Sequence, residues 1–158
     1  MGLGVGSGID VHAFGGGGPL MLGTLAVDHP RGLAGHSDGD VVAHALCDAL
    51  LAAAGAPDIG HYFPPGEPEW AGASGARLLG LVMDELARRG ARPLNAHVTV
   101  ICETPRIGPL RERMQAALSA LVGAPVGVHA TTTEGLGFTG REEGIMSQAV
   151  ALIERTGP

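Results

Sequence analysis

HSDGDVVAHALCDALLAAAGAPDIG, residues 36–60, is the stretch whose reading decides the fold. Val41, Val42, Ala45, Leu46, Ala49, Leu50 and Ala53 recur in it at helical spacing, so it is a helix with one face in a core. Asp40, His44 and Asp48 follow at i, i+4 and i+8, which sets three ionisable groups along one stripe. Ser37 or Asp38 is placed to cap the helix, where the positive end of its dipole also favours acidic side chains. A helix that only fills a core does not need a histidine and two aspartates beside its apolar face. The stretch reads as a site built on a rigid element.

Upstream, residues 3–11 (LGVGSGIDV) read as a first strand weakened by glycine. It delivers Asp10 and His12 at i, i+2, on one face. Residues 14–19 form a glycine loop, 20–27 a short hairpin and 28–38 a loop leading to His36. Downstream, residues 61–74 hold three prolines and form a loop long enough to act as a lid. Ser74 opens a helix over 74–90, with Leu78, Leu79, Val82, Met83 and Leu86 on one face and Gly90 as its stop. A strand over 95–102, a turn framed by Pro105 and Pro109, a helix over 109–122, a strand over 125–133 and a glycine-rich loop over 134–144 follow. Ile145 to Arg155 is ambiguous. Its Ala, Met and Glu content favours helix, whereas pairing with residues 126–132 would make it a strand.

A length of 158 residues and a hydrophobic fraction of 45% fit a single domain, residues 1–158, with a real core. No apolar run reaches the roughly 20 residues of a membrane span, and the start lacks a signal-peptide pattern. Cys47 and Cys102 sit in apolar contexts and read as buried, reduced thiols of a cytoplasmic protein. A net charge of −6, with ten Arg, no Lys and no dense basic region, argues against nucleic-acid binding. Such a protein needs metal ions, backbone amides and helix N-termini to hold an anionic substrate.

Taken singly, Asp10, His12 and His44 could each be an ordinary polar residue. Together they form an N/O ligand set that suits Zn²⁺ with one coordination position open. In ATTTEGLGFTG, residues 130–140, hydroxyls and a carboxylate precede three glycines. The loop offers N–H groups to phosphate, and Glu134 could bind a divalent ion, although a Thr-rich strand and a glycine turn are common without either role. ETPRIGP, residues 103–109, reads on its own as a plain connection, and Asp58 as either a turn residue or a hydroxyl acceptor.

Read together, GIDVHAF, HSDGDVVAHALCDALL, DIGHYFP and ATTTEGLGFTGREEG resemble the 2-C-methyl-D-erythritol 2,4-cyclodiphosphate synthase family, and the resemblance runs the length of the chain. It implies an α/β (α+β) domain with a mixed sheet, helices on one side, and sheets packed around the axis of a homotrimer. It makes Ile145 to Arg155 a strand. It implies a cytoplasmic lyase of isoprenoid biosynthesis that cyclises 4-diphosphocytidyl-2-C-methyl-D-erythritol 2-phosphate between subunits and releases CMP. Asp10, His12 and His44 match the zinc ligands, and Glu134 matches the contact of a second ion, Mg²⁺ or Mn²⁺. His36 and Thr132 match the transition-state stabilisers. Ser37, Asp58, Ile59, Gly60 and Phe63 match the erythritol side. The cytidine pocket matches Cys102, Glu103, Thr104, Pro105 and Arg106 with Ala130, Thr131 and Thr133. Phe138 and Arg141 match a ring near the trimer axis, where the family has a cavity for isoprenoid diphosphates. Asp40 and Asp48 are candidates to orient the ligating histidines.

Five positions depart from the family pattern. Pro65 and Gly66 stand where an acidic residue follows Phe-Pro, Arg106 and His129 replace lysines, and Glu142 adds a negative charge. At this length the chain looks unlike the family's two-domain fusion form. Two other function classes compete: a trimeric binding protein without activity, disfavoured because every catalytic and ligand position is retained, and a zinc hydrolase, for which Asp58 would have to serve as base.

Overall fold

The structure, a computed structural model, describes residues 2–156. A five-stranded sheet carries the fold, in the order β4-β1-β7-β5-β6. Its strands are β1 (Gly2–Gly16), β4 (Gly32–Leu33), β5 (Ala91–Ile101), β6 (Val126–Thr131) and β7 (Gly144–Arg155). Among the described residues only the β5–β6 pair is parallel, so the sheet is mixed as expected. The hairpin expected over 20–27 is β2 (Leu20–Leu22) with β3 (Leu25–Val27). Three helices, α1 (Val41–Ala53), α3 (Gly75–Arg88) and α4 (Arg111–Val122), lie on one side of the sheet. α2 (Ile59–Tyr62) and α5 (Gly137–Gly140) are single turns. No helix among the described residues is long and apolar enough to cross a membrane.

Ile145–Arg155 is a strand, against the helical leaning of its composition. Ile145, Ser147, Ala149, Ala151 and Ile153 alternate inward, and that period overrides propensity. Its partners are β1 and β5, not residues 126–132. β1 is longer than expected and absorbs the first half of the anticipated glycine loop at 14–19. β5 begins at Ala91 rather than residue 95, and the register shifts between Pro93 and Asn95, where a proline is tolerated.

The glycines of β1 are contacts rather than weaknesses. Gly4, Gly6 and Gly8 face α1, and a Cβ added to any of them would overlap the α1 backbone at Ala45, Ala49 or Ala53. At Gly8 it would stand 2.7 Å from Ala49 N and 2.8 Å from Asp48 Cβ. The helix therefore lies directly on the strand, with Ala45, Ala49 and Ala53 buried against it. Leu46, Leu50 and Leu51 of α1, Leu79 and Leu86 of α3, Met114 and Leu118 of α4, and Ile145 and Ile153 of β7 fill the core.

Asp40, rather than Ser37 or Asp38, caps α1. Its buried carboxylate accepts from Val42 N, Ala43 N, Gly23 N and Thr24 N at 3.2, 3.0, 2.9 and 2.7 Å. It thus ties the β2–β3 turn to the helix start. At the other end, Arg155 Nη2 donates to Ala53 O at 2.7 Å. Asp48 accepts from Ile59 N at 2.9 Å and holds α2 in place. Ser74 caps α3 through Arg77 N, as expected.

The opposite face of the sheet is open. Leu3, Val5, Ile9 and Val11 of β1 and Val150 of β7 point outward and are exposed. Cys47 and Cys102 are buried and free, and burial raises both thiols, Cys102 to about 11.

Gly8→Val is expected to lower stability by about 3 kcal/mol or more, because the obstacle is backbone. Gly17→Ala, where a Cβ meets nothing within 4 Å, should stay within about 0.5 kcal/mol. Asp40→Ala is expected to cost about 3 kcal/mol, since it removes a cap and leaves the Gly23 and Thr24 N–H groups, one buried and one half-buried, unpaired. Urea unfolding midpoints check all three.

Candidate metal centre and adjoining cavities

Asp10 and His12 share the helix-facing side of β1, and the close approach of α1 lowers His44 onto them. One donor atom from each converges. His12 Nε2 lies 2.9 Å from Asp10 Oδ2, His44 Nδ1 lies 3.1 Å from Asp10 Oδ2, and the two nitrogens are 3.4 Å apart. A tetrahedral ion with bonds of about 2.0–2.2 Å spaces its ligands about 3.3–3.6 Å apart. The trio fits such an ion after opening by a few tenths of an ångström, and two imidazoles with one carboxylate are suitable ligand chemistry.

Burial opposes the Asp10 carboxylate, but the neighbouring His12 and His44 imidazoles outweigh it and hold its pKa at about 2. The hydrogen bond to Asp10 raises His12 in spite of burial. A proton on His12 and a cation in the trio therefore compete for the same carboxylate.

The loop before α1 orients both rings. His12 Nδ1–H donates to Ala34 O at 2.6 Å, and His44 Nε2 lies 3.1 Å from Ser37 Oγ. Ala34 and Ser37 therefore occupy the orienting role expected of Asp40 and Asp48, whose carboxylates are engaged by backbone amides elsewhere. A backbone carbonyl leaves no mark in sequence, and Ser37 carried a signal only through its nearness to His44.

A cavity of about 220 Å³ opens beside the trio. His36, Ser37, Ile59, Gly60 and Phe63, all anticipated, line it together with Asp10, His12 and His44. Pro65 and Trp70, from the expected lid segment, and Leu78, expected only as a core residue of its helix, also line it. The expected lid segment closes one side. Phe63 meets Trp70 edge-on at 4.8 Å, and His36 Nε2 lies 2.9 Å from Glu67 O. Asp58 does not line this cavity. It caps α2 through His61 N and faces a separate depression with Asp48.

A second cavity, about 580 Å³, is lined by Cys102, Glu103, Pro105, Arg106, Ala130, Thr131 and Thr132, together with Ile107, Gly108 and Pro109. The two cavities share no lining residue. Register pairs Asp10 with Ser147, Ser147 with Val100 and Val100 with Ala130, which puts both cavities at one end of the sheet, three strand spacings apart. Thr104 points its hydroxyl toward His29 Nε2 at 3.4 Å, and Thr133 bonds Leu136 O and Thr139 Oγ1. Glu134 sits in the left-handed region with φ 54° and accepts from Thr132 Oγ1 at 3.1 Å. Glu103 Oε1 accepts from Thr133 N and Gly135 N, so two amides anticipated for phosphate are held by a carboxylate of the chain itself. Phe138 and Arg141 lie on and just after α5, line neither cavity, and Arg141 pairs with Glu143.

Of the departures, Pro65 gives the lid side of the first cavity an apolar contact. Arg106 keeps a cation at the second. His129 packs edge-on against His97 at 4.5 Å. Glu142 adopts φ 55°, an unusual conformation for a residue with a Cβ, and is met by Arg31 at its carbonyl and its carboxylate.

Comparison with known proteins agrees with this geometry. A family model, the YgbB family, matches residues 3–154. A bifunctional IspD/IspF enzyme of Rhodopseudomonas palustris is 52% identical over 151 residues, which cover 94% of this chain and 38% of that relative's length. The solved bifunctional IspDF of Campylobacter jejuni superposes with a TM-score of 0.93 at 34% identity, over 98% of this chain and 43% of that one. A 2C-methyl-D-erythritol-2,4-cyclodiphosphate synthase in a CDP-bound form superposes with a TM-score of 0.86 at 37% identity, over 95% of this chain and 99% of that one.

Proposed function

The chain belongs to the YgbB family, and on that premise we propose that it converts 4-diphosphocytidyl-2-C-methyl-D-erythritol 2-phosphate to 2-C-methyl-D-erythritol 2,4-cyclodiphosphate and CMP. The observation that carries the reading is the convergence of Asp10, His12 and His44 beside a cavity that also holds His36 and Ser37.

In this reaction a 2-phosphate oxygen attacks the β-phosphorus of the diphosphate. The bond from that phosphorus to the bridging oxygen of CMP breaks, and CMP leaves with the electron pair. Both reacting groups belong to one molecule and no water takes part. The protein's work is to bring the ends together and offset negative charge.

Asp10, His12 and His44 would hold zinc, and Glu134 would contact a second divalent ion, Mg²⁺ or Mn²⁺. Bound there, such ions supply Lewis acidity and charge neutralisation to phosphate oxygens. The chain's own groups do the positioning. His36 lines the first cavity, with its Nε2–H donated to Glu67 O of the lid, and holds its ring where a phosphate can lie against it. Thr132 lines the second cavity, with its hydroxyl donated to Glu134, and takes the corresponding position there. Ser37, Ile59, Gly60 and Phe63 take the erythritol end, where Phe63, Trp70, Pro65 and Leu78 exclude water. The second cavity takes cytidine, with Arg106 near its phosphates. That solved synthases of this fold include a CDP-bound form supports this placement.

We assign the protein to a homotrimer whose sites lie between subunits. The open sheet face with Leu3, Val5, Ile9, Val11 and Val150 supports an apolar interface. The separation of the two cavities by three strand spacings supports a site in which each is completed by a neighbour. Phe138 and Arg141 are assigned to the axial ring and its isoprenoid diphosphate.

Phosphorus NMR of the zinc-loaded protein with substrate and Mg²⁺ tests the reaction. Stoichiometric CMP with a cyclic diphosphate is expected, and an open-chain bisphosphate would favour a hydrolase instead. His44→Ala is expected to lose zinc and activity while keeping the oligomer, checked by metal analysis and size-exclusion chromatography. Full zinc occupancy in that variant would defeat the ligand assignment.

A further inference from the structure

We propose that Ser37 is a positioning residue that fixes the tautomer of His44, and so sets how tightly the Asp10–His12–His44 trio holds its metal; this rests on the metal-centre reading above. His44 is nearly fully buried, and among the described residues the only partner of its Nε2 is Ser37 Oγ at 3.1 Å. A neutral imidazole carries one ring proton. With that proton on Nε2 and donated to the hydroxyl, Nδ1 keeps its lone pair and aims it at the trio, 3.1 Å from Asp10 Oδ2 and 3.4 Å from His12 Nε2.

Removing the hydroxyl leaves a buried N–H without a partner. The proton is then better placed on Nδ1, where it bonds the Asp10 carboxylate, and the lone pair turns away from the metal. The assignment also balances at Ser37. Its oxygen accepts from His44 Nε2–H and, at 3.5 Å, faces Gly39 N–H, which leaves its own hydrogen for the cavity it lines. One side chain can thus orient a ligand and still donate to a phosphate. Ala34 O does the equivalent for His12 through Nδ1–H, so one short loop sets both rings.

The test measures zinc affinity by competition with a chromophoric chelator, and the His44 tautomer by long-range proton–nitrogen NMR, in wild type, Ser37→Ala, Ser37→Thr and His44→Ala. Ser37→Ala is expected to bind zinc about 10- to 100-fold more weakly and to move the metal-free His44 proton to Nδ1. Ser37→Thr, which keeps the hydroxyl, should restore both within a few fold. If wild type binds zinc tightly and Ser37→Ala matches it within twofold with an unchanged tautomer, the proposal is overturned and the metal centre stands. If Ser37→Thr is as weak as Ser37→Ala, the effect is packing and the proposal is likewise overturned. If wild type binds no better than His44→Ala, the metal-centre reading fails and the proposal with it.

Discussion

The rest of the structure depends on a backbone-to-backbone contact, the seat of helix α1 on the glycines of strand β1. Gly4, Gly6 and Gly8 have no side chain to hold the helix away, and Ala45, Ala49 and Ala53 present its flattest face. Asp10 and His12 are the next inward positions of the same strand, and His44 lies on the same helix one residue before Ala45. The distance at which the helix rides is therefore the distance at which the third ligand meets the first two. A larger residue at an inner position of β1 would lift the helix and the imidazole together.

Around that contact, polar side chains divide the work by position. The stripe Asp40, His44, Asp48 serves three ends. Asp40 closes the helix start onto the hairpin, His44 faces the trio, and Asp48 holds the turn that carries Ile59 and Gly60 into the cavity. The loop before the helix reaches both histidines through Ala34 and Ser37. It is itself anchored beyond the lid by Asp38, which takes Gly75 N, and by His36 O, which takes Gly72 N. The site is rigid because its supports end in backbone amides and carbonyls.

Much of this was legible in the sequence. An Asp-x-His on a strand and a histidine on an amphipathic helix have few alternatives once both elements are read, and the trio followed. The periods of α1, α3 and α4 placed the helices. The misreadings have physical causes. By propensity glycine weakens a strand, whereas in β1 the absence of a Cβ is what the packing requires. Ile145–Arg155 has helical composition but an inward alternation that two neighbouring strands enforce. Asp58, which the resemblance places on the substrate side, caps α2 and faces a depression with Asp48 next to the cavity that Ile59 and Gly60 line. The resemblance reached what propensity did not, including the strand at the end of the chain.

The alternation of β1 has one more consequence. Between Gly2 and Gly8 the inward positions are glycine, so this part of the strand adds no side chain to the core, while Leu3 and Val5 point into solvent. The hydrophobic free energy of those residues is deferred to whatever covers the outer face. Any partner seated there adds its binding free energy to folding by mass action, and the measured stability of the chain then rises with its own concentration when that partner is another copy. The first strand is in this sense a thermodynamic bridge, folded from one side and stabilised from the other.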